Sequence, residues 1–182
     1  MKFICLCGYP NSGKSTVARI LSENFNTTEI DDSKIFREAT IALHGVDHND
    51  PYSQEGKLKK YNINGKEISV RELMKDIGVF TIATYGKEYK PLRAIEQTKG
   101  SNEEDVFVFS SVREDEAKVY KDSNPDTLVI EIKRPDCKPI VNADNYNLSY
   151  IDETLYNDST LEDFEQKVNN YFLNILSPSL KI

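Results

Sequence analysis

The sequence predicts an α/β protein of three layers, with a mostly parallel five-stranded sheet between two sets of helices. Three observations carry this. Lys2–Cys7 (K-F-I-C-L-C) is almost continuously apolar, as a strand buried on both faces must be. The chain then turns through Gly8 and takes up helical spacing at Val17, Ala18, Ile20 and Leu21. From there, short β-rich runs alternate with helical stretches, the pattern of parallel strands joined by helical crossovers.

The elements follow in order. Thr27–Ile30 reads as a second strand, and Asp31, Asp32 and Ser33 offer caps for a helix over 35–43. Residues 44–67 are irregular, with Gly45, Asn49, Pro51 and Gly56, and the pair Asn64-Gly65 predicts a small hairpin. A helix over 69–78 starts with a capping box, Ser69 with Glu72 three positions on, and buries Val70, Leu73, Met74 and Ile77. Further helices are expected at 79–85 and 91–98. Val106–Phe109 is the next strand, 113–121 a charged helix and 127–132 (T-L-V-I-E-I) another strand. After an irregular stretch come a short strand at Glu153–Tyr156 and a helix at Leu161–Leu176 with an apolar stripe through Phe164, Val168, Tyr171, Phe172 and Ile175.

At 182 residues the chain suits one domain, 1–182, in which about 44–100 form insertions. A net charge of −7 argues against a general nucleic-acid coat, which needs surplus Lys and Arg to displace counterions. A small anion held by a few placed cations is compatible with it. No apolar run approaches the roughly 18 residues of a membrane span, and no secretory signal is evident, so a cytoplasmic location is expected. Cys5, Cys7 and Cys137 lack paired metal-ligand spacing, and the first two read as small buried strand residues. His44 and His48 sit in a polar loop without a partner pattern and receive no role.

Residues 8–15, G-Y-P-N-S-G-K-S, match the phosphate-binding P-loop G-x-x-x-x-G-K-[S/T] in the context that gives that string meaning, a strand before it and a helix after it. Glycines at 8 and 13 let successive N–H groups turn toward phosphate oxygens, and the helix presents its positive end. Gly8, Asn11, Ser12, Gly13, Lys14, Ser15 and Thr16 are therefore the expected ATP-binding residues. Lys14 is expected on the β and γ phosphates, and the Ser15 hydroxyl on Mg2+. No N/T-K-x-D guanine motif occurs, and Val106–Phe109 ends in Ser110-Ser111 rather than the acidic pair of a motor ATPase, which favours a small kinase.

Such a kinase holds two polyanions head to head and needs cations beyond Lys14. The candidates are Arg37, Arg71, Arg93, Arg113 and Arg134. Arg113 follows the C-terminal end of a strand, where open α/β sheets bind ligands; it joins Lys14 as a candidate catalytic residue. Arg134 is placed with the ATP, and Arg37, Arg71 and Arg93 with the acceptor. Asp31 and Asp32 follow the second strand at the same sheet edge. Asp32 is the candidate for orienting the acceptor oxygen and Asp31 for holding magnesium through water; helix capping is the competing role for both.

These segments together resemble the phage-type deoxynucleoside monophosphate kinases, a group within the P-loop nucleoside-phosphate kinases. The resemblance rests on the P-loop, S-V-R-E-L-M-K-D-I-G at residues 69–78, V-F-V-F-S-S-V-R-E-D-E at 106–116, I-K-R-P at 132–135 and Y-N-D-S-T-L-E-D-F at 156–164. It implies a P-loop kinase fold with a helical lid, and ATP-dependent phosphorylation of a deoxynucleoside monophosphate to the diphosphate. It also implies that Arg71 helps to bind the acceptor, that Arg113 lies near the phosphates, and that Lys87, Lys90 and Arg93 belong to the lid. The expected partners are ATP and a nucleoside monophosphate, with a homodimer as one expected assembly; a phage-encoded chain would act in the host cytoplasm. The chain departs from the family at Ser111, where an Asp is usual two residues before the arginine. Two other readings stand beside this one: a kinase for another small metabolite such as dephospho-coenzyme A, and a nucleotide-binding regulatory protein without transfer.

Overall fold

The computed structural model describes residues 1–139 and 145–176. Those residues form two compact units, one of 1–32 with 91–139 and 145–176 and one from Ser33–Lys90.

The first unit contains the sheet. Strands β1 (Lys2–Cys7), β2 (Thr27–Ile30), β5 (Val106–Phe109), β6 (Leu128–Lys133) and β7 (Glu153–Tyr156) run in the order β2-β5-β1-β6-β7. Every neighbouring pair is parallel. β1 is central, with Cys5 beside Phe109 on one side and beside Val129 on the other. Its alternation divides the core. Ile4 and Leu6 point into one apolar layer with Val17, Ile20 and Leu21 of α1 (Lys14–Asn24) and Phe164, Val168 and Phe172 of α6 (Leu161–Leu176). Phe3, Cys5 and Cys7 point into the opposite layer with Phe107, Phe109 and Val129, covered by Ala94 of α4 (Tyr89–Glu96) and by Ala117 and Tyr120 of α5 (Glu116–Ser123). Edge-on rings lock that second layer, Phe3 meeting Phe109 at 5.0 Å between centroids. Both buried cysteines are thus small core residues, as expected, and burial pushes the Cys5 thiol well up. With all strands parallel, the chain leaves β1, β2, β5 and β6 along one edge, and the segments at 8–15, 31–32, 110–113 and 134 gather there.

The second unit holds α2 (Lys34–His44), the antiparallel hairpin β3 (Lys60–Ile63) and β4 (Lys66–Ser69), and α3 (Val70–Tyr85). Its small core is Val46, Val70 and Leu73 with Ile41, Tyr61, Ile63, Ile68 and Met74 packed on it. The Asn64-Gly65 hairpin forms as expected, both residues taking positive φ (52° and 81°) as a two-residue turn requires. The capping box is also present: Glu72 N–H donates to Ser69 Oγ, and Ser69 N–H to Glu72 Oε2 at 2.8 Å.

Some boundaries and one cap differ from the sequence reading. The helices expected at 69–78 and 79–85 are one helix, because Gly78 lowers propensity without removing an N–H donor and no proline interrupts. The helix expected from 113 starts at Glu116. Glu114 instead takes φ 42° and forms a bridge to Tyr146, its N–H donating to Asn145 O and its own carbonyl accepting from Asn147 N–H. The helix after β2 has Ser33 at its N-cap without a side-chain capping bond, so the capping expected from the Asp31-Asp32-Ser33 run is not made there. Among the described residues, no helix is long and apolar enough to cross a membrane.

Candidate phosphate-binding site

The site is built where β1 ends. Gly8 and Gly13 take φ 143° and 111°, and Asn11 takes φ 66° between them. Neither glycine has room for a side chain. A Cβ on Gly8 would lie 2.4 Å from the Ile132 carbonyl oxygen, and one on Gly13 would lie 2.7 Å from Asn157 Nδ2. The loop therefore lies directly on β6 and on the segment that follows β7. Ser12 N–H closes a turn onto Tyr9 O at 3.1 Å, and Gly13 is the left-handed N-cap of α1. The first turn of α1, with Ser15 and Thr16, presents the N–H groups that have no partner within a helix. Ser15 is exposed beside them.

Lys14 folds over this loop. Its Nζ donates to Gly8 O at 2.5 Å and to Tyr9 O at 3.1 Å, so the cation sits above the peptide groups that the motif supplies for phosphate oxygens. The glycine-turned loop, the N-terminus of α1 and the Lys14 ammonium are contiguous at the end of β1, a combination suited to a polyanion.

The same sheet edge holds four further candidates. Asp31 is half-buried and Asp32 buried directly after β2. Arg113 is half-buried after β5, its N–H donating to Glu116 Oε2 at 2.9 Å. Arg134 follows β6 and is exposed. Arg93, on α4, is exposed and paired with Glu96 one helical turn on.

Arg37 and Arg71 lie in the other unit. The Arg37 guanidinium stands 5.3 Å from the centroid of the Tyr52 ring, which also stacks on His48. Arg71, in the first turn of α3, donates to Gln54 Oε1 at 2.9 Å. Lys87 and Lys90 are in that unit too, Lys90 being buried. Its firmest polar feature is the buried Asp50 carboxylate, which accepts from Lys59 Nζ and Tyr61 OH, each at 2.7 Å. The Lys59 hydrogen bond above all, then that of Tyr61, holds the Asp50 carboxyl below its ordinary range.

Two neighbours of the loop escape a reading of the sequence. Asn157 follows β7 and donates from Nδ2 to Ser12 O at 2.8 Å. Glu131, buried on β6 beside Cys7, accepts from Tyr146 OH at 2.8 Å and from Thr154 Oγ1 at 2.9 Å. The Tyr146 ring in turn packs on Tyr9 of the loop, 5.4 Å between centroids. Burial and then the Glu131 hydrogen bond push the Tyr146 phenol well above its ordinary value. A signal for Glu131 was present, a lone charge inside the apolar run T-L-V-I-E-I. None marked Asn157 beyond its place in Y-N-D-S-T.

A family model described as chromatin associated protein KTI12 matches residues 1–128, which include the whole loop, α1 and the strands through β5. No curated protein matches the chain. Solved structures similar to it include dephospho-CoA kinase from Campylobacter jejuni, 19% identical over 99% of this chain and 100% of that one, with a TM-score of 0.45. Shikimate kinase from Aquifex aeolicus vf5 is 16% identical over 96% and 98% of the two chains, with a TM-score of 0.44. At such scores neither structure bears on function here, and the fold is read from its own strand order and loop.

Proposed function

The chain belongs to the family described as chromatin associated protein KTI12; from its own loop and sheet edge we propose that it is an ATP- and magnesium-dependent phosphotransferase whose acceptor is a small molecule, a deoxynucleoside monophosphate first among them. One observation carries the proposal: Lys14 lies over a loop whose backbone is turned by Gly8, Asn11 and Gly13 at the C-terminal edge of a parallel sheet.

In this reading Gly8, Asn11, Ser12, Gly13 and Thr16 surround the ATP phosphates, and Arg134 stands beside the nucleotide. Lys14 and Arg113 draw charge from the transferring group, which is where most of the catalysis of phosphoryl transfer lies. Asp32 orients the acceptor oxygen. Of the arginines expected for the acceptor, Arg93 belongs to the same unit as the loop, and Arg37 and Arg71 belong to the other. Magnesium fits the donors available, because the Ser15 hydroxyl and Asp31 carboxylate are hard oxygen ligands. Among the described residues no cluster of three or more His, Cys, Asp or Glu forms a cage, so the ion would rest on Ser15 and on phosphate oxygens, with Asp31 acting through water. Its contribution would be to neutralise charge on the β and γ phosphates.

A second reading is favoured by two observations, the family description and the ending of β5 in Ser110-Ser111 without an acid. In it the chain binds nucleotide to regulate a protein partner and transfers nothing.

One experiment separates them. Purified chain is mixed with ATP and magnesium and offered a panel of deoxynucleoside monophosphates, dephospho-coenzyme A and hydroxylated metabolites, and acceptor-dependent ADP is measured. Formation of a deoxynucleoside diphosphate supports the first reading in full. Preference for dephospho-coenzyme A or a hydroxylated acceptor replaces the acceptor and keeps the chemistry. Tight ATP binding with no acceptor selects the regulatory reading.

A further inference from the structure

Asn157 connects the end of the sheet to the phosphate loop. Its backbone N–H donates to Lys133 O at 2.8 Å, continuing the β6–β7 ladder one residue past the Lys133–Tyr156 pair. The main chain of Asn157 is thereby anchored to the sheet, and its half-buried side chain reaches Ser12, donating from Nδ2 to the Ser12 carbonyl at 2.8 Å.

That bond has a directional consequence. In a planar trans peptide the C=O and the following N–H point in opposite directions, and the described residues contain no cis peptide bond. A hand on the Ser12 carbonyl is therefore a hand on the Gly13 N–H. With the carbonyl drawn toward Asn157, the Gly13 N–H is turned to the side away from Asn157. A Cβ at residue 13 would stand 2.7 Å from Asn157 Nδ2 and 3.2 Å from Phe164 Cε1, and the φ of 111° already favours glycine there. Residue type matters equally. An uncharged amide donates to a carbonyl without adding charge, whereas an aspartate would set an acceptor against an acceptor and place a negative charge behind a phosphate site.

We propose that Asn157 is a positioning residue for phosphate binding, holding the Ser12–Gly13 peptide so that the Gly13 N–H faces a phosphate oxygen of the nucleotide. The inference rests on the nucleotide-binding reading of the loop.

Its test is a calorimetric titration of Mg-ATP into the wild-type chain and into Asn157→Ala and Asn157→Asp. Melting of each nucleotide-free protein is recorded alongside, with the Gly13 amide followed by 15N NMR. Loss of one oriented donor to an anion should weaken Mg-ATP binding about tenfold in Asn157→Ala, and further in the aspartate variant. The nucleotide-free melting temperature should change little, and the Gly13 amide shift induced by Mg-ATP in the wild type should disappear. Asn157→Asp keeps the side-chain shape, so it supplies the affinity measurement if the alanine variant does not fold. Wild-type binding matched within about twofold by the variants, or a Gly13 shift that persists in them, overturns the inference alone. A wild-type chain that binds no Mg-ATP removes the nucleotide reading and this inference with it.

Discussion

The Lys14 ammonium donates at 2.5 Å to the carbonyl of Gly8, six residues earlier in the same loop. The cation thus lies across the peptide groups it would share with a phosphate, bonded there to the main-chain oxygens of Gly8 and Tyr9.

Lys14→Ala is accordingly expected to lower Mg-ATP affinity by about a hundredfold, the value of a strong charged hydrogen bond, and to abolish any phosphoryl transfer. The melting temperature without nucleotide should stay close to that of the wild type, since the side chain is only half-buried. Calorimetric titration and thermal melting measure the two quantities. A variant that melts normally and binds ATP as the wild type does would show that this loop is not the nucleotide site.

The two classes of glycine should behave differently. Gly8→Ala places a methyl 2.4 Å from the Ile132 carbonyl, a main-chain atom that no rotamer change can move, at φ 143°. Its expected cost is about 3 kcal/mol or more. Gly45, the C-cap of α2, has φ 63° and nothing within 4 Å of an added Cβ. Gly45→Ala should therefore cost only the left-handed backbone, about 1 kcal/mol. Urea denaturation of the pair checks the contrast, and equal losses would contradict the packing of the loop against β6.

Asp50 supplies a pH dependence. The Lys59 hydrogen bond, then that of Tyr61, lowers its native pKa below the unfolded value. A depressed carboxyl stabilises the fold fully above the unfolded pKa, near 4, and loses that contribution as pH falls through the native value. Melting followed from neutral pH downward should show the Ser33–Lys90 unit weakening below about pH 4. In Asp50→Asn this part of the slope should be missing. An unchanged acid profile in the variant would mean that Asp50 does not carry it.

Tyr146→Phe removes one of the two hydroxyl donors to the buried Glu131 carboxylate and leaves Thr154 in place. The expected loss is about 1 to 2 kcal/mol by chemical denaturation. Thr154→Val should cost a similar amount. The double variant should lose more than the sum, because the carboxylate is then buried without either hydroxyl partner. Simple additivity would indicate that the two hydroxyls do not act through a common acceptor.

Much of this molecule is legible along the chain. The apolar run at Lys2–Cys7, the stripe of α6, the Asn64-Gly65 turn and the Ser69–Glu72 capping box are local patterns, and each appears where the sequence places it. The loop at 8–15 is legible for the same reason, since a strand, two glycines and a helix start are contiguous. Helix boundaries were less so. The start of α5 depends on Glu114 pairing with a segment more than thirty residues away, an arrangement no nearby pattern announces.

Local periodicity and turn chemistry thus determined from the sequence which residues are strand and helix, and that a phosphate loop follows β1. Only the tertiary structure decided what stands behind that loop. Asn157 reaches Ser12 from 145 residues away, Glu131 meets Tyr146 and Thr154, and Arg37 and Arg71 fall in a unit separate from Arg113. Hydrogen-bond partners of this kind are chosen by where parallel strands end on a common edge. That placement comes from the register of the whole sheet, and no single segment carries it.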